Sequence, residues 1–547
     1  MRGLKLSIAA GVLLASLPLG AVAKPALSPE EMKQASKIYF DRCAGCHGML
    51  RKGATGPPLT PEALKKKRYT LEVIEGFIYN GTPGGMPDWG KQGILSKEEI
   101  KLLAKYLLEK PQEPPLMSLK DMMKWWKVIV PPEERPTKPQ HNLNWKNFMG
   151  IILRDVGKVA IVDGDTKKLV SIVDTGFAVH IFRSSGTGRY FLTIGRDGKA
   201  TLIDLWLKKP DKVAEVKVCY DARSIDTSKY KGPKGDFMDK LAIVGCYWPP
   251  SFVLLDGQTL EPIKIVNTSD YTWDTNEYVR EARVASIVAS HNDPEWIVSN
   301  KEPGKVLIVN YKDPTNMKLH VIDAERFLHD GGWDMSKRYF LVAANMRNKI
   351  IVIDTVEKKF VAEIETGIKP HPGRGANFVH PRYGPVWCTG HLGSNNVACI
   401  GTDPVNRSRY AWKVVENIEL PGKGGGTLFI KTHPKSPHMW VDRTLHPEFQ
   451  RKLYVIDKDS LKVIKTIDVI RELRRLGYKN IDGRVVHPEF DMYGKEVWVS
   501  VWGRKDKPTA IVVFDDRTMK IKKVITGDWV RTPTGIFNVY TTTNDIY

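Results

Sequence analysis

Eight times along the chain an apolar run ends in Asp or a polar surrogate, from Ala160-Ile161-Val162-Asp163, through 202–204, 254–256, 307–310, 351–354, 398–403 and 454–457, to Val512-Val513-Phe514-Asp515. Successive copies lie roughly 40 to 60 residues apart, the length of a four-stranded propeller blade with variable loops. Long helical patterns are nearly absent from this region, the best candidate being the segment around Ile470 to Leu476. An all-β eight-bladed propeller is therefore expected from about residue 143 onward. A propeller is a scaffold, so its chemistry must come from residues that break the blade pattern.

A different pattern precedes the repeat. Cys43-Ala44-Gly45-Cys46-His47 is C-x-x-C-H, the spacing at which two thiols and an axial imidazole hold one haem covalently. Ser28-Pro29-Glu30-Glu31 is a capping box with proline at the first helical position, and Ser96 to Glu99 is a second, opening a helix with Ile100, Leu103, Ala104 and Leu107 on one face. Between them, Gly81-Thr82-Pro83-Gly84-Gly85-Met86-Pro87 can bring the Met86 thioether to the iron face opposite His47, a pairing that raises reduction potential. The expectation is a small all-α monohaem cytochrome c domain. Alternatives are a zinc pair or a disulfide at Cys43 and Cys46, and Met86 as a core residue of its loop.

Arg2 and Lys5 precede an apolar stretch from Leu6 to Leu19, and Ala21-Val22-Ala23 has the small-x-small form of a cleavage site, so residues 1–23 read as a secretory signal peptide. Haem c is attached in the same exported compartment, which makes the periplasm the expected address. No later run approaches the length needed to span a bilayer. The expected order is signal peptide 1–23, cytochrome c domain 24–112, linker 113–142 and propeller 143–547. From Pro111 to Asn142 seven prolines surround Trp125 and Trp126, which argues for an ordered linker. The formal charge of +21 is spread over scattered Lys and Arg without an aromatic-interleaved basic stripe. That pattern disfavours nucleic acid and suits an anionic substrate and an acidic electron donor. Cys219, Cys246, Cys388 and Cys399 lie in neighbouring strand-like stretches; cross-strand bridges are conceivable there, and buried free thiols are the simpler reading.

Within the propeller His180, His329 and His371 are each flanked by Gly or Pro, as where backbone is held in a special conformation near a ligand, although a single such histidine is more often structural. Arg154, Arg183, Arg196, Arg223 and Arg374 fall near strand ends, placed for bidentate recognition of carboxylates in a central channel.

At this point a resemblance becomes specific. The runs CAGCHG, RKGATG, GTPGGMPDWG, VDGDTKK, IGRDGK, YWPP, FLHDGGWD, HPGRGANFVHP, YGPVW, LFIKTHPKS, EVWVSVW and TPTGIFNVY resemble the cytochrome cd1 nitrite reductases over nearly the whole mature length. The resemblance implies a non-covalent haem d1 in the channel beside the covalent haem c, a homodimer, and reduction of nitrite to nitric oxide with one electron and two protons. It implies His180 as the proximal d1 ligand and His329 and His371 as distal general acids. It places Arg154, Arg183, Arg196, Arg223, Tyr247, Arg374, Thr534 and Gly535 in d1-contacting segments. A small periplasmic c-type cytochrome or cupredoxin is the implied donor, and oxygen a plausible side substrate of an open ferrous haem. Two departures stand out. No tyrosine lies between Lys24 and Lys37, so the tyrosine arm that reaches the d1 iron in some members should be missing, and His487 stands where the family pattern has glutamine. His487 is either a replacement hydrogen-bonding group for d1 or a structural histidine. Two other functions fit the same domain plan: a d1-binding cytochrome acting as dihydro-haem d1 dehydrogenase in cofactor maturation, and a non-catalytic electron carrier with a propeller docking module.

Overall fold

The repeated aspartate is a turn device. In the computed structural model, which describes residues 27–53, 56–82 and 86–547, Asp163 accepts from the backbone N–H of Asp165 and the Thr166 hydroxyl, Asp256 from the N–H of Gln258 and Thr259, and Asp354 from the N–H of Val356 and Glu357. Asp457 and Asp515 repeat the arrangement with Ser460 and Thr518. Each carboxylate closes an Asx turn that sends the chain from the third strand of a blade into the fourth. The third strands are buried along nearly their whole length, as in 158–163, 349–354 and 452–457, which accounts for their unbroken apolar runs. Fourth strands such as Lys318–Asp323 and Lys520–Ile525 are largely exposed and mark the rim.

Eight such four-stranded antiparallel sheets follow one another. The first is completed from far along the chain: Pro533–Asn538 pairs with Phe148–Leu153 and closes the ring. The linker is ordered. It contains a short helix, Leu119–Met123, and Lys127–Val128 adds a fifth strand to the outer edge of the second blade. The helix anticipated near Ile470 runs Val469–Arg475.

The N-terminal domain packs five helices, α1 (Pro29–Arg42), α2 (Ala44–His47), α3 (Pro61–Lys66), α4 (Leu71–Asn80) and α5 (Lys97–Leu108), around Ala35, Tyr39, Leu64, Ile74, Leu103 and Ala104. Both capping boxes form as read from the sequence. The signal peptide lies outside the described residues. Among the described residues no helix is long and apolar enough to cross a membrane.

The cysteines of the propeller require a correction. They are not free thiols: Cys219 is bonded to Cys246 (Cα–Cα 6.3 Å) and Cys388 to Cys399 (Cα–Cα 4.0 Å). Cys388 and Cys399 face each other directly on paired strands, a juxtaposition that strand register, and not residue spacing, decides.

Candidate functional site

Cys43 caps α1 and Cys46 lies in α2 one turn on, so the two sulfurs are set by a single helical turn, and neither is paired. His47 is buried, and its Nδ1 lies 2.7 Å from the carbonyl of Pro57. That bond places the proton on Nδ1 and leaves the Nε2 lone pair as the ligand atom, the usual second-shell arrangement of a metal-binding histidine. Burial lowers the imidazole pKa, which favours the neutral, ligating form. Met86 packs on the same apolar cluster as Cys43, although Pro83–Gly85 of its loop lie outside the described residues. Burial, together with Cys46, pushes the Cys43 thiol up to about 12. Among the described residues the one group of three or more clustered His, Cys, Asp or Glu donors is elsewhere, so the zinc alternative finds no further ligands here. The donor set fits haem c.

In the propeller the candidate residues gather where inner-strand pairing slips. Register shifts fall between Leu328 and Gly331, spanning His329, and between His371 and Ala376, spanning Arg374. Others fall between Val486 and Glu489, at His487, and from Gly245 to Trp248, at Tyr247. A bulge bends the strand and re-aims side chains that regular alternation would send to the blade faces. Left-handed backbone at Ala178 (φ 48°), Phe327 (φ 65°), Gly373 (φ 66°) and His487 (φ 58°) marks the same places.

His329 and His371 come from adjacent blades and stand with ring centroids 5.2 Å apart. Asp330 lies between them: its Oδ1 is 2.5 Å from His329 Nδ1 and its Oδ2 is 3.6 Å from His371 Nδ1. His180 precedes the inner strand of the second blade. More than a third of its surface is open, yet desolvation inside the protein, with Arg223 and His329 nearby, pushes its pKa well below the ordinary value. Burial, with Lys301, pulls the His329 pKa down to about 4 against the opposing effect of Asp330.

The arginines divide. Arg154 pairs with Asp155 at 2.5 Å, while Arg196 and Arg223 share Asp221 at 3.2 and 3.5 Å. Arg374 donates to the carbonyls of Gly331 and Ile287, and Arg183 to its neighbour Phe182. The Nε atoms of Arg183, Arg196 and Arg223 are buried without a hydrogen-bond partner. Burial, then Arg374, pushes Arg183 down to about 9, and burial pushes Arg154 down to about 10. Buried guanidinium N–H groups left without an acceptor suit a group bearing several carboxylates, and the residues present fit haem d1. Tyr247 is buried between Arg223 and Arg283, with the guanidinium carbons 5.1 and 5.3 Å from its ring centroid. Thr534 and Gly535 lie on the ring-closing strand. His487 stacks on Phe429, and its Nδ1 accepts from the N–H of Ile536, which fixes the proton on Nε2.

Several residues of the site were not singled out from the sequence. Asp330 reaches His371 and Gly373 as well as its neighbour His329, and Asp221 reaches Arg196 as well as nearby Arg223. The groups that seat the cytochrome domain have distant partners: Glu281 accepts from the backbone N–H of Met49 (2.6 Å) and Leu50 (3.2 Å), and Arg196 donates to the carbonyl of Asp41 (2.9 Å). Arg42 pairs with Asp155 at 3.0 Å. Arg223 lies so close to Gly45, in the middle of C-x-x-C-H, that a Cβ there would sit 2.0 Å from its Nη2. The haem-attachment helix thus rests directly on arginines of the channel. The first tyrosine after Lys24, Tyr39, is buried with its hydroxyl on the Gly48 carbonyl, so it serves this helix and not an arm.

The Cytochrome D1 heme domain family matches residues 143–542, and the family described as Cytochrome C oxidase, cbb3-type, subunit III matches residues 30–107. A nitrite reductase of Stutzerimonas stutzeri is 48% identical over 98% of this chain and 98% of its own. A dihydro-heme d1 dehydrogenase of Pseudomonas aeruginosa is 26% identical over 96% of this chain and 97% of its own. The solved structure of the dihydro-heme d1 dehydrogenase NirN in complex with DHE superposes with a TM-score of 0.68 at 23% identity, covering 93% of this chain and all of that one, which speaks to the fold alone.

Proposed function

Because the chain belongs to the cytochrome cd1 nitrite reductase family, we propose that it acts in the periplasm as a homodimer, accepting electrons from a small c-type cytochrome or cupredoxin and reducing nitrite in the propeller channel. It is an NO-forming nitrite reductase with one covalent haem c and one non-covalent haem d1 per chain. The reaction converts nitrite, one electron and two protons into nitric oxide and water. When bound, haem c supplies a one-electron relay and haem d1 the redox-active iron at which nitrite is reduced.

The chain's own residues take the remaining parts. Cys43, Cys46, His47 and Met86 hold haem c. His180 is the protein ligand of haem d1, and Arg154, Arg183, Arg196, Arg223 and Arg374, with Tyr247, His487, Thr534 and Gly535, surround it. His329 and His371 hold the anion and deliver protons to the oxygen that leaves as water. Burial and Lys301 hold the His329 pKa at about 4, and a nitrite anion beside the imidazole shifts it upward, favouring the charged form. The observation that carries this reading is the pair of imidazoles from two blades meeting 5.2 Å apart, together with the buried Nε atoms of Arg183, Arg196 and Arg223 that lack a hydrogen-bond partner. The domain partition that goes with it is 1–23 signal peptide, 24–112 cytochrome c, 113–142 linker and 143–547 propeller.

The test is anaerobic nitric oxide production, by electrode, from d1-loaded protein given nitrite and a reduced donor inert to nitrite. Sustained NO over many turnovers is the expected result. The full-length likeness to a dihydro-heme d1 dehydrogenase supports a second reading, oxidation of a d1 precursor. Absence of NO with both haems verified would favour that reading and call for the reduced precursor as substrate.

A further inference from the structure

We propose that Asp330 is a positioning residue for both distal imidazoles, holding His329 by its Nδ1 edge and His371 through the loop that carries it, so that Nε2 of each is left for substrate; the inference rests on the nitrite reductase reading above. In a regular strand His329 and Asp330 would point to opposite faces. The register slip between Leu328 and Gly331 removes that alternation and lets the Asp330 carboxylate meet the ring of its own neighbour at 2.5 Å. Its second oxygen accepts from the backbone N–H of Gly373, at the left-handed turn two residues after His371, and lies 3.6 Å from His371 Nδ1. The same Nδ1 lies 3.0 Å from the carbonyl of Leu428. One carboxylate therefore orients the first imidazole directly and pins the loop that carries the second.

The charge of Asp330 has a further use. His371 at this separation and Lys301 both disfavour protonation of His329. The Asp330 carboxylate against the His329 ring opposes that effect and favours the charged form of His329 when nitrite arrives. Burial works to raise the Asp330 carboxyl, but His371 and His329 together hold it far below the usual carboxylate range, so it stays ionised across the working pH. The groups facing the pair are Asp330 and Lys301, with His180 also within electrostatic reach of His329.

The test is D330N in the full, d1-loaded enzyme beside wild type. Asparagine keeps an acceptor for Gly373 and removes the charge. We expect unchanged haem d1 content, kcat lowered at least tenfold, and the alkaline limb of the pH profile, where His329 loses its proton, displaced to lower pH. A merely structural role would not move that limb. Wild-type rate and profile in D330N would overturn the inference while NO formation by the wild type leaves the parent reading intact; absence of NO from the wild type strikes the parent reading instead. If D330N does not accumulate haem d1, D330E is the second variant. It keeps the charge and displaces the carboxylate, so the limb should stay in place while kcat falls, and a wild-type kcat in D330E overturns the positioning role.

Discussion

Arg283 and Glu302 form a buried ion pair where the propeller meets the haem-bearing loop, with side chains 1% and 9% exposed. Arg283 Nε and Nη2 lie 2.9 and 2.5 Å from Glu302 Oε1, the backbone N–H of Arg283 donates to Oε2 at 2.7 Å, and Nη2 reaches toward the Gly53 carbonyl at 3.4 Å. Arg283→Ala leaves the carboxylate buried with a single backbone donor from its former partner. Removing one member of a buried pair costs about 3–5 kcal/mol, because the remaining charge keeps its desolvation penalty and loses its compensation. Replacing both with apolar groups of similar volume removes the penalty with the attraction, so R283M/E302L should stay within about 1 kcal/mol of wild type or exceed it. Urea unfolding of the oxidised, d1-loaded enzyme, followed by the d1 visible band and tryptophan emission together, measures both; coincident transitions license the free energies. The reasoning fails if R283A loses less than about 1 kcal/mol. It fails equally if the apolar pair is as unstable as R283A, since the loss then has nothing to do with an uncompensated charge.

His371→Ala should load haem d1 to the wild-type level but turn nitrite over about a hundredfold more slowly or worse, the usual cost of a lost general acid; normal turnover at the NO electrode would remove His371 from that role. Thiol titration of the denatured haem c-loaded chain should find no free thiol before reduction and four after it, two from each disulfide. Free thiols before reduction would contradict the pairing. His391 is fully buried between the Asn396 carbonyl and the Thr366 hydroxyl, and burial holds its pKa at about 4, below the ordinary 6.5. The unfolded chain therefore takes up this proton first, and stability should fall as pH drops from about 6.5 toward 4. H391Q should make that slope shallower in urea midpoints measured across the window, and an unchanged slope would rule out this residue as a source.

The elements that could be read from residues alone are those whose cause is local. An Asx turn needs one carboxylate and the next few N–H groups, so the blades could be counted from their aspartates; the capping boxes and C-x-x-C-H are equally self-contained. His329 and His371 were findable because each stands in a Gly- or Pro-bearing run. Asp330 was in plain view in the same run, but its role depends on a strand slip and on a loop from the next blade. Asp221, Glu281 and Arg283 act on partners far away in sequence, and nothing near them signals it. Cys388 and Cys399 could be suspected as a pair, but whether the bond forms depends on strand register, which residue spacing does not show. For the arginines the sequence showed residue type and place near strand ends but not their neighbours: part of their charge is spent on Asp155, Asp221 and the seat of the cytochrome domain.

The strand that completes the first blade, Pro533–Asn538, is made after every other described strand, some 380 residues later than the partner it joins. Until it arrives the ring has an open seam between its first and last blades, and the channel has no continuous wall. The topology thus makes ring closure the last step of the propeller, and a cofactor held by contacts from several blades can be retained only after the seam has shut. A lesion in the closing strand should therefore yield protein that is red with haem c and lacks the green d1 chromophore.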